Sequence, residues 1–400
     1  MSTTVRPTVP IAVRRARWAV SALFLLNGAG MSSMVPRFPL IKENLGLTNT
    51  FFGLAIALGP LGGLIAGLWT SRVIRRLGSA RVALVAQAAQ VIIFTFVLNA
   101  PIPAAFALGI FIMSATDVYA DIAMNAHGLR VQKLYGRSIN NSFHAFWSVG
   151  GVIGGSFGAL FAGINLPLPW HAAIMATLLL SVNLIIRRHM LPGPDHDEVV
   201  EESAGNVRIP RNLLWHIIAL GMVAAFAASI EDSGSTWSAL YLHDYLGATP
   251  AIAGLGFVAL IGAQTIGRFT GDRLVDHLGD RGAARLGCSV ATLGMALALA
   301  FPSIPLTLLG FAAAGWGVAT VVPAVFYAGY HIPGLPHGAG LAIVNWLLRF
   351  AFLIGPPLVG RISDVVNFRV ALLVMPLATL MVVLLSGHLS TGRSHEEQPA

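Results

Sequence analysis

The stretch SRVIRRLG, residues 71–78, has a counterpart 201 positions later in DRLVDHLG, residues 272–279. Each copy has a basic residue in second place and a glycine in eighth place. Sliding the whole chain against itself by the same interval aligns its apolar runs pair by pair, and FHAFWSVGGVIGG falls on VNWLLRFAFLIGP. A repeat of this length predicts two homologous halves with the same architecture.

The composition predicts that both halves lie in a membrane. Of 400 residues, 56% are hydrophobic and only 10% are charged, whereas soluble proteins carry about 25% charged residues. A helix that crosses a bilayer needs about 20 mostly apolar residues. Twelve such runs are present, which predicts an all-α membrane protein with two pseudo-symmetric six-helix bundles. The runs are 17–36, 51–71, 81–99, 103–127, 140–163, 170–188, 213–236, 251–271, 283–301, 304–328, 338–360 and 368–387.

Several functional classes are disfavoured by the same sequence. The runs are too long for the strands of a β-barrel, which alternate over about 10 residues. The single cysteine, Cys288, excludes an intramolecular disulfide and offers no metal cluster. Neither a P-loop nor a His-rich metal set occurs, so we expect no ATP-driven step, no cofactor and no enzymatic activity.

The 25 lysines and arginines are divided unevenly between the two sides of the predicted bundle. We assign 19 of them to the side that holds both termini. Basic residues accumulate on the cytoplasmic side of membrane proteins, so both termini are predicted to be cytoplasmic. This placement explains the net charge of +8 without a nucleic-acid partner. The residues assigned to the outside are Arg37, Lys42, Arg361 and Arg369.

One polar segment divides the chain. Residues 189–212 are acidic and contain proline and glycine, which is typical of a linker. We therefore predict an N-terminal six-helix bundle over 1–188, a cytoplasmic linker over 189–212, and a C-terminal six-helix bundle with a short tail over 213–400.

The repeated turn resembles the signature turn of the major facilitator superfamily. In GRFTGDRLVDHLG, residues 267–279, Asp272 and Arg273 form its charged core, while the first copy has Ser71 in place of the acid and retains Arg72. The resemblance covers essentially the whole chain and implies a monomeric transporter of the cytoplasmic membrane. It also implies that Arg72, Asp272 and Arg273 gate the cytoplasmic side.

A narrower resemblance links the chain to the fucose permease branch of that superfamily. DIAMN, residues 121–125, matches the acid-x-x-x-Asn pattern of helix 4 in the permease, where the acid is associated with proton coupling. Residues 18–41 contain no acid, whereas the fucose permease has an aspartate in helix 1. The resemblance implies inward cotransport of a sugar-like solute with protons.

Three polar residues lie at helical spacing in the fourth run. Asp117, Asp121 and Asn125 are four residues apart, which places them on one stripe that should face the central cavity. A carboxylate withdrawn from water favours its protonated form, so Asp121 and Asp117 are candidate proton carriers and Asn125 a substrate ligand. Two alternatives remain open: Asp121 pairs statically with Arg130, Arg137 or the N-terminus of helix 5, or Asp117 hydrogen-bonds to helix 1 or 2.

The fifth run carries a polar and aromatic stripe with Asn141, His144 and Trp147. An imidazole can donate to and accept from hydroxyl groups, and an indole can stack on the apolar face of a sugar ring. By the branch resemblance, His144 and Trp147 occupy substrate-contacting positions, and we include Asn141 with them. The alternative for Trp147 is simple packing between helices.

Arg349 lies about midway along the eleventh run, with Asn345 and Trp346 within the preceding turn. An arginine at this depth keeps its charge and needs a carboxylate. That carboxylate comes either from Asp117 or Asp121, which would couple protonation to rocking of the halves, or from an anionic substrate. We predict a role in proton coupling for Arg349 and substrate contacts for Asn345 and Trp346.

Four further polar residues lie within or near the ends of runs. Asn27 and Gln264 are predicted to contact the substrate, with hydrogen bonding between helices as the alternative. The branch resemblance implies that Glu231 acts as an outer gate, with solvation at the helix end as the alternative. Asp232 is expected to be solvated at the helix end.

These expectations define a secondary transporter that moves a small polar solute by alternating access, with protons and the lipid bilayer as its other partners. A proton-driven exporter of drugs or metabolites is the main alternative, and a membrane sensor without transport is a weaker one.

Overall fold

A computed structural model describes residues 9–193, 210–332 and 340–389. Within these ranges the chain is almost entirely helical and contains no strand. Most of the predicted linker and the C-terminal tail after residue 389 lie outside the described residues.

Eleven helical stretches in the described residues are long and apolar enough to cross a membrane. The first six are α1 Ile11–Met34, α2 Asn49–Leu77, α3 Ser79–Leu98, α4 Pro103–Tyr135, α5 Asn140–Gly163 and α6 Leu168–Arg187. The others are α7 Arg211–Leu240, the stretch Pro250–Ala300, α10 Ile304–Tyr330, α11 Leu341–Val365 and α12 Phe368–His388.

The stretch Pro250–Ala300 contains two membrane passes. Its 51 residues would extend about 76 Å as one straight helix, whereas the hydrocarbon core is about 30 Å thick. The backbone is not helical at Gly279, where φ is 69° and ψ is 169°. We therefore number 250–278 as α8 and 280–300 as α9, which confirms the prediction of twelve spans.

The glycine that ends each copy of the repeated motif has the same structural task. Gly78 separates α2 from α3 with φ of 83° and ψ of 145°, values close to those of Gly279. Residues with a side chain rarely adopt positive φ, whereas glycine adopts it readily. Both copies therefore need glycine where one helix ends and the next begins at once.

Small residues let neighbouring helices approach closely, as is typical inside membranes. A methyl group at Gly150 of α5 would collide with the carbonyl oxygen of Leu25 in α1. In the second half, a methyl group at Gly315 of α10 would collide with the carbonyl oxygen of Leu260 in α8. The glycine content thus serves helix packing in both halves of the sequence.

The described residues form two compact units whose borders differ from the predicted linker position. Among the described residues, the first unit contains 9–32, 61–154 and 167–193, and the second contains 33–60, 155–166, 210–332 and 340–389. The second unit therefore includes those ends of α1, α2 and α5 that the charge pattern assigns to the outside. Gly254 of α8 contributes to this packing, because a methyl group there would lie 2.8 Å from the Pro36 ring.

Candidate substrate and proton site

Four polar side chains in the first unit join four helices through hydrogen bonds. Asp117 Oδ1 accepts hydrogen bonds from Asn27 Nδ2 and Gln90 Nε2, each at 2.8 Å. Trp147 Nε1 donates to Asn27 Oδ1 at 2.9 Å. We call Asn27, Gln90, Asp117 and Trp147 the Asp117 cluster. Because its members come from α1, α3, α4 and α5, the cluster fixes how these helices face one another.

The Asp117 cluster brings together three of the predicted site residues and gives each a structural partner. Asp117 bonds to α1 and α3, so hydrogen bonding to neighbouring helices, which was its alternative role, is present. Gln90 was missed by the sequence analysis. Its signal was an amide within the apolar helix SARVALVAQAAQVIIFTFVL, where only an interhelical partner satisfies it.

Asp121 lies one helical turn beyond Asp117 but is exposed. Asn125 Nδ2 donates to Asp121 Oδ1 at 3.0 Å and to its carbonyl oxygen at 2.9 Å. Of the alternative partners, Arg130 does not pair with Asp121 and instead donates to the carbonyl groups of Pro192 and Gly193. Neither Asp121 nor Asp117 makes an ion pair with any described residue.

The exposed side of Asp121 is not the lipid side of α4. Nine residues separate Asp121 from Ile112 and Asp117 from Leu108, and at about 100° per residue this spacing places them on opposite faces. Ile112 and Leu108 are 39% and 56% exposed, as expected for side chains that face lipid. Asp121 therefore presents its carboxylate away from the lipid.

The polar residues of α5 show the same division. His144 is exposed and lies nine residues before the exposed Ile153, hence on the opposite face. The edge of its ring contacts Phe24, with the ring centroids 5.2 Å apart. Asn141 is exposed one turn earlier on the same side. His144 and Asn141 thus lie on the non-lipid side of α5.

Arg349 lies half-buried in α11 and makes no hydrogen bond or ion pair with the described residues. Asn345 is also half-buried, one turn earlier. Trp346 is 55% exposed and contacts Phe350, with the ring centroids 6.2 Å apart, at the start of an exposed apolar line that continues with Ile354. That line has the composition of a lipid-facing stripe, so a substrate role has less support for Trp346 than for Asn345.

The predicted gate residue Glu231 and the predicted substrate residue Gln264 are partners. Gln264 Nε2 donates to Glu231 Oε2 at 2.8 Å, which joins α7 to α8. The expectation that Asp232 is solvated is wrong, because its Oδ2 is shielded from solvent and has no partner among the described residues. The reason is packing: a methyl group at Gly355 of α11 would lie 3.3 Å from this oxygen.

The predicted cytoplasmic gate residues Arg72, Asp272 and Arg273 are exposed, and none makes an ion pair within the described part of the chain. Their gating role therefore stays a prediction.

Polar contacts that the sequence analysis missed link the two sequence halves inside the second unit. Lys42 Nζ lies 2.6 Å from Asp244 Oδ2. Asp364 of α11 accepts hydrogen bonds from the backbone N–H groups of Asn49 and Thr50, at 3.0 and 2.7 Å. The Asp364 carboxylate thus satisfies free N–H groups at the start of α2, where negative charge is stabilising.

The sequence matches the family model described as Major Facilitator Superfamily over residues 20–263 and again over residues 217–399. The chain belongs to this superfamily, so it is a multi-pass membrane transporter and not an enzyme.

Known proteins similar to this chain share its length as well as its fold. An uncharacterised transporter of the superfamily from Yersinia pestis is 29% identical over 353 residues, which cover 87% of this chain and 89% of the relative. The structure of the nucleoside transporter NupG superimposes with a TM-score of 0.69 at 12% identity, covering 94% and 98% of the two chains. A D-xylose-proton symporter superimposes with a TM-score of 0.70 at 14% identity, covering 94% and 96%. At these identities the structural matches show the fold alone.

Proposed function

We propose that this protein is a proton-coupled secondary transporter that carries a small polar, sugar-like solute across the cytoplasmic membrane by alternating access. The observation that carries the proposal is the exposed Asp121 carboxylate on the non-lipid face of α4. The resemblance of DIAMN to the fucose permease branch supports it, as do similar folds in a nucleoside transporter and a xylose-proton symporter.

The physical argument starts from the location of Asp121. An ionisable side chain within a membrane span is unfavourable by about 2.5–3.5 kcal/mol and usually faces a water-filled cavity or a partner. No described residue supplies a cationic partner, and lipid lies on the opposite face. A water-accessible cavity would therefore contain Asp121, where its carboxylate can take up and release protons, and the Asn125 amide would orient it.

The other residues take roles that follow from their contacts. The Asp117 cluster holds the helices around Asp121, and His144 and Asn141 of the same unit supply polar contacts to the solute. Glu231 with Gln264 and the turn residues Arg72, Asp272 and Arg273 would act in gating. The protein would act as a monomer with both termini in the cytoplasm.

The test compares solute movement in proteoliposomes made with the parent and with Asp121→Asn, under an imposed pH gradient and with a panel of sugars, nucleosides and organic acids. We expect Asp121→Asn to retain counterflow, which needs only binding and rocking, and to lose accumulation driven by the pH gradient. Asp276→Asn is the matched control, because it removes an exposed carboxylate in the α8–α9 turn and should leave both activities unchanged.

Two outcomes contradict the proposal. Accumulation that survives in Asp121→Asn would exclude Asp121 as the proton carrier. Loss of counterflow and accumulation together, in a variant that melts like the parent, would assign Asp121 to substrate binding instead.

A further inference from the structure

We infer that the transported solute carries a carboxylate, as sugar acids and small organic acids do, and that the Arg349 guanidinium binds it. This inference rests on the proposed function, because it specifies the chemical class of the same transported solute.

Arg349 is a half-buried charge that the described part of the protein does not neutralise. It is the ninth of 25 residues in α11, about 12 Å from the start of the helix, and therefore lies well inside the membrane. A guanidinium stays protonated in proteins, and a charge within a membrane span normally faces a partner or water. No described residue donates a carboxylate to it, so its counterion has to come from elsewhere.

The direction of Arg349 excludes lipid as its surroundings. Leu358, nine residues later on α11, is 46% exposed and lies on the opposite face from Arg349. Gly360, eleven residues later, lies within about 20° of the same direction as Arg349. Gly360 packs on the start of α2, where a methyl group would collide with the Asn49 carbonyl oxygen. Arg349 thus lies about three turns before Gly360, on the face of α11 that packs against other helices of the protein.

No carboxylate of the described second unit pairs with Arg349, and three of them bond to other residues. Asp364 accepts N–H groups at the start of α2, Asp244 pairs with Lys42, and Glu231 accepts from Gln264. The Oδ2 atom of Asp232 is shielded by the packing of α11. Because none of these carboxylates pairs with Arg349, its guanidinium N–H groups can donate to a ligand.

The chemistry of the side chain specifies what that ligand offers. A guanidinium presents five N–H donors in a planar fork and binds a carboxylate through two parallel hydrogen bonds. Asn345 lies one turn earlier on the neighbouring part of the same face, where its amide can bind a hydroxyl group of the same solute. A hydroxylated carboxylic acid satisfies both side chains, whereas a neutral sugar leaves the charge of Arg349 uncompensated.

The experiment uses solutes that differ only in the acidic group: D-glucuronate against D-glucose, D-gluconate against D-sorbitol, and L-lactate against propane-1,2-diol. Binding is measured on the purified full-length protein as ligand-dependent thermal stabilisation, and uptake is measured in proteoliposomes. We expect at least one acid to bind the parent at least about thirtyfold more tightly than its neutral counterpart. This factor corresponds to the binding free energy that is typically lost when one member of a buried charge pair is left unpaired.

Three variants test whether Arg349 causes the preference for acids over neutral solutes. Arg349→Gln should weaken binding of that acid by at least about thirtyfold, and Arg349→Lys should weaken it less, because the charge remains while the fork is lost. Arg361→Gln is the matched control: it removes an exposed arginine twelve residues along the same helix and should leave the preference unchanged.

The inference is overturned if the neutral members bind as tightly as the acids, if no acid binds, or if Arg349→Gln leaves acid binding within about threefold. The comparison of acids with neutral solutes uses the parent alone, so poor folding of a variant cannot hide the answer. Gradient-driven uptake of a neutral solute that Asp121→Asn abolishes would overturn this inference and leave the proposed function intact. If acids bind in an Arg349-dependent way but transport does not respond to the pH gradient, the proton coupling of the proposed function is contradicted and this inference stands.

Discussion

The Asp117 cluster and two charged residues of the second unit, Asp232 in α7 and Arg349 in α11, both place polar groups among apolar helices, but they differ in how those groups are paired. In the cluster, the carboxylate of Asp117, the amide of Asn27 and the indole N–H of Trp147 each have a partner at hydrogen-bonding distance. In the second unit, Arg349 has no partner and Asp232 Oδ2 has no donor among the described residues.

This difference in pairing distinguishes polar groups that stabilise the helix packing from polar groups that can bind a ligand or a proton. Nearly all buried polar groups are hydrogen-bonded in folded proteins, and each exception calls for an explanation. A fully paired network holds helices in one arrangement, whereas an unpaired buried charge is stabilised only when a ligand, a proton or a rearrangement completes it. The comparison thus predicts that substitutions in the cluster change stability and that those around Arg349 change binding.

The largest effect on stability is expected from Asp117→Ala. This substitution removes the acceptor for the Asn27 and Gln90 amides, and each buried group left without a partner costs about 1–3 kcal/mol. The free energy of unfolding should fall by at least about 2 kcal/mol, measured as a lower melting temperature in detergent. Thr116→Ala is the control, because its hydroxyl donates only to carbonyl groups of its own helix.

The opposite result would break the comparison. If Asp117→Ala melts like the parent while transport is lost, Asp117 belongs to the binding or proton machinery and the cluster is not mainly structural.

A smaller effect is expected from Trp147→Phe. The substitution retains an aromatic ring but removes the single N–H that donates to Asn27, so the loss should be about 0.6–1 kcal/mol, as found for hydrogen bonds between membrane helices. Melting temperatures of Trp147→Phe and Trp18→Phe are compared, because Trp18 is 64% exposed and its substitution serves as the control. Equal melting temperatures for the two variants would remove the indole N–H from the list of stabilising contacts.

The architecture could be predicted from the sequence because lipid leaves the backbone few choices. Only helices satisfy all of their backbone groups within one segment, so apolar runs of about 20 residues become spans. The repeat also predicted that Gly78 and Gly279 share a role, and both have the positive φ that ends one helix and begins another. The sequence predicted an interval between the runs 251–271 and 283–301, whereas helical backbone continues up to Gly279 on one side and from it on the other.

The pairing of the site residues could not be predicted, because it depends on how each helix is rotated. Asp117 and Asp121 are one turn apart on the same stripe, yet only Asp117 meets amides from α1 and α3. The amide of Gln90 decides this difference, and nothing in the spacing of the acids indicates it. Likewise, the pair between Lys42 and Asp244 joins residues 202 positions apart, which no local pattern connects.

The smallest effect is expected from Asp232→Asn, and its direction sharpens the comparison. An ionised carboxylate with one oxygen shielded from water and without a donor is unfavourable, and the amide has nearly the same shape without the charge. The variant should therefore be as stable as the parent or more stable by up to about 0.5 kcal/mol, with unchanged counterflow.

Glu231→Gln, next in the chain, should lose about 1–1.5 kcal/mol, because it replaces a carboxylate that accepts from Gln264. Melting temperatures of the two variants give the order directly. A larger loss in Asp232→Asn than in Glu231→Gln would mean that Asp232 binds a partner from outside the chain, and the second unit would then contain two ligand-dependent charges instead of one.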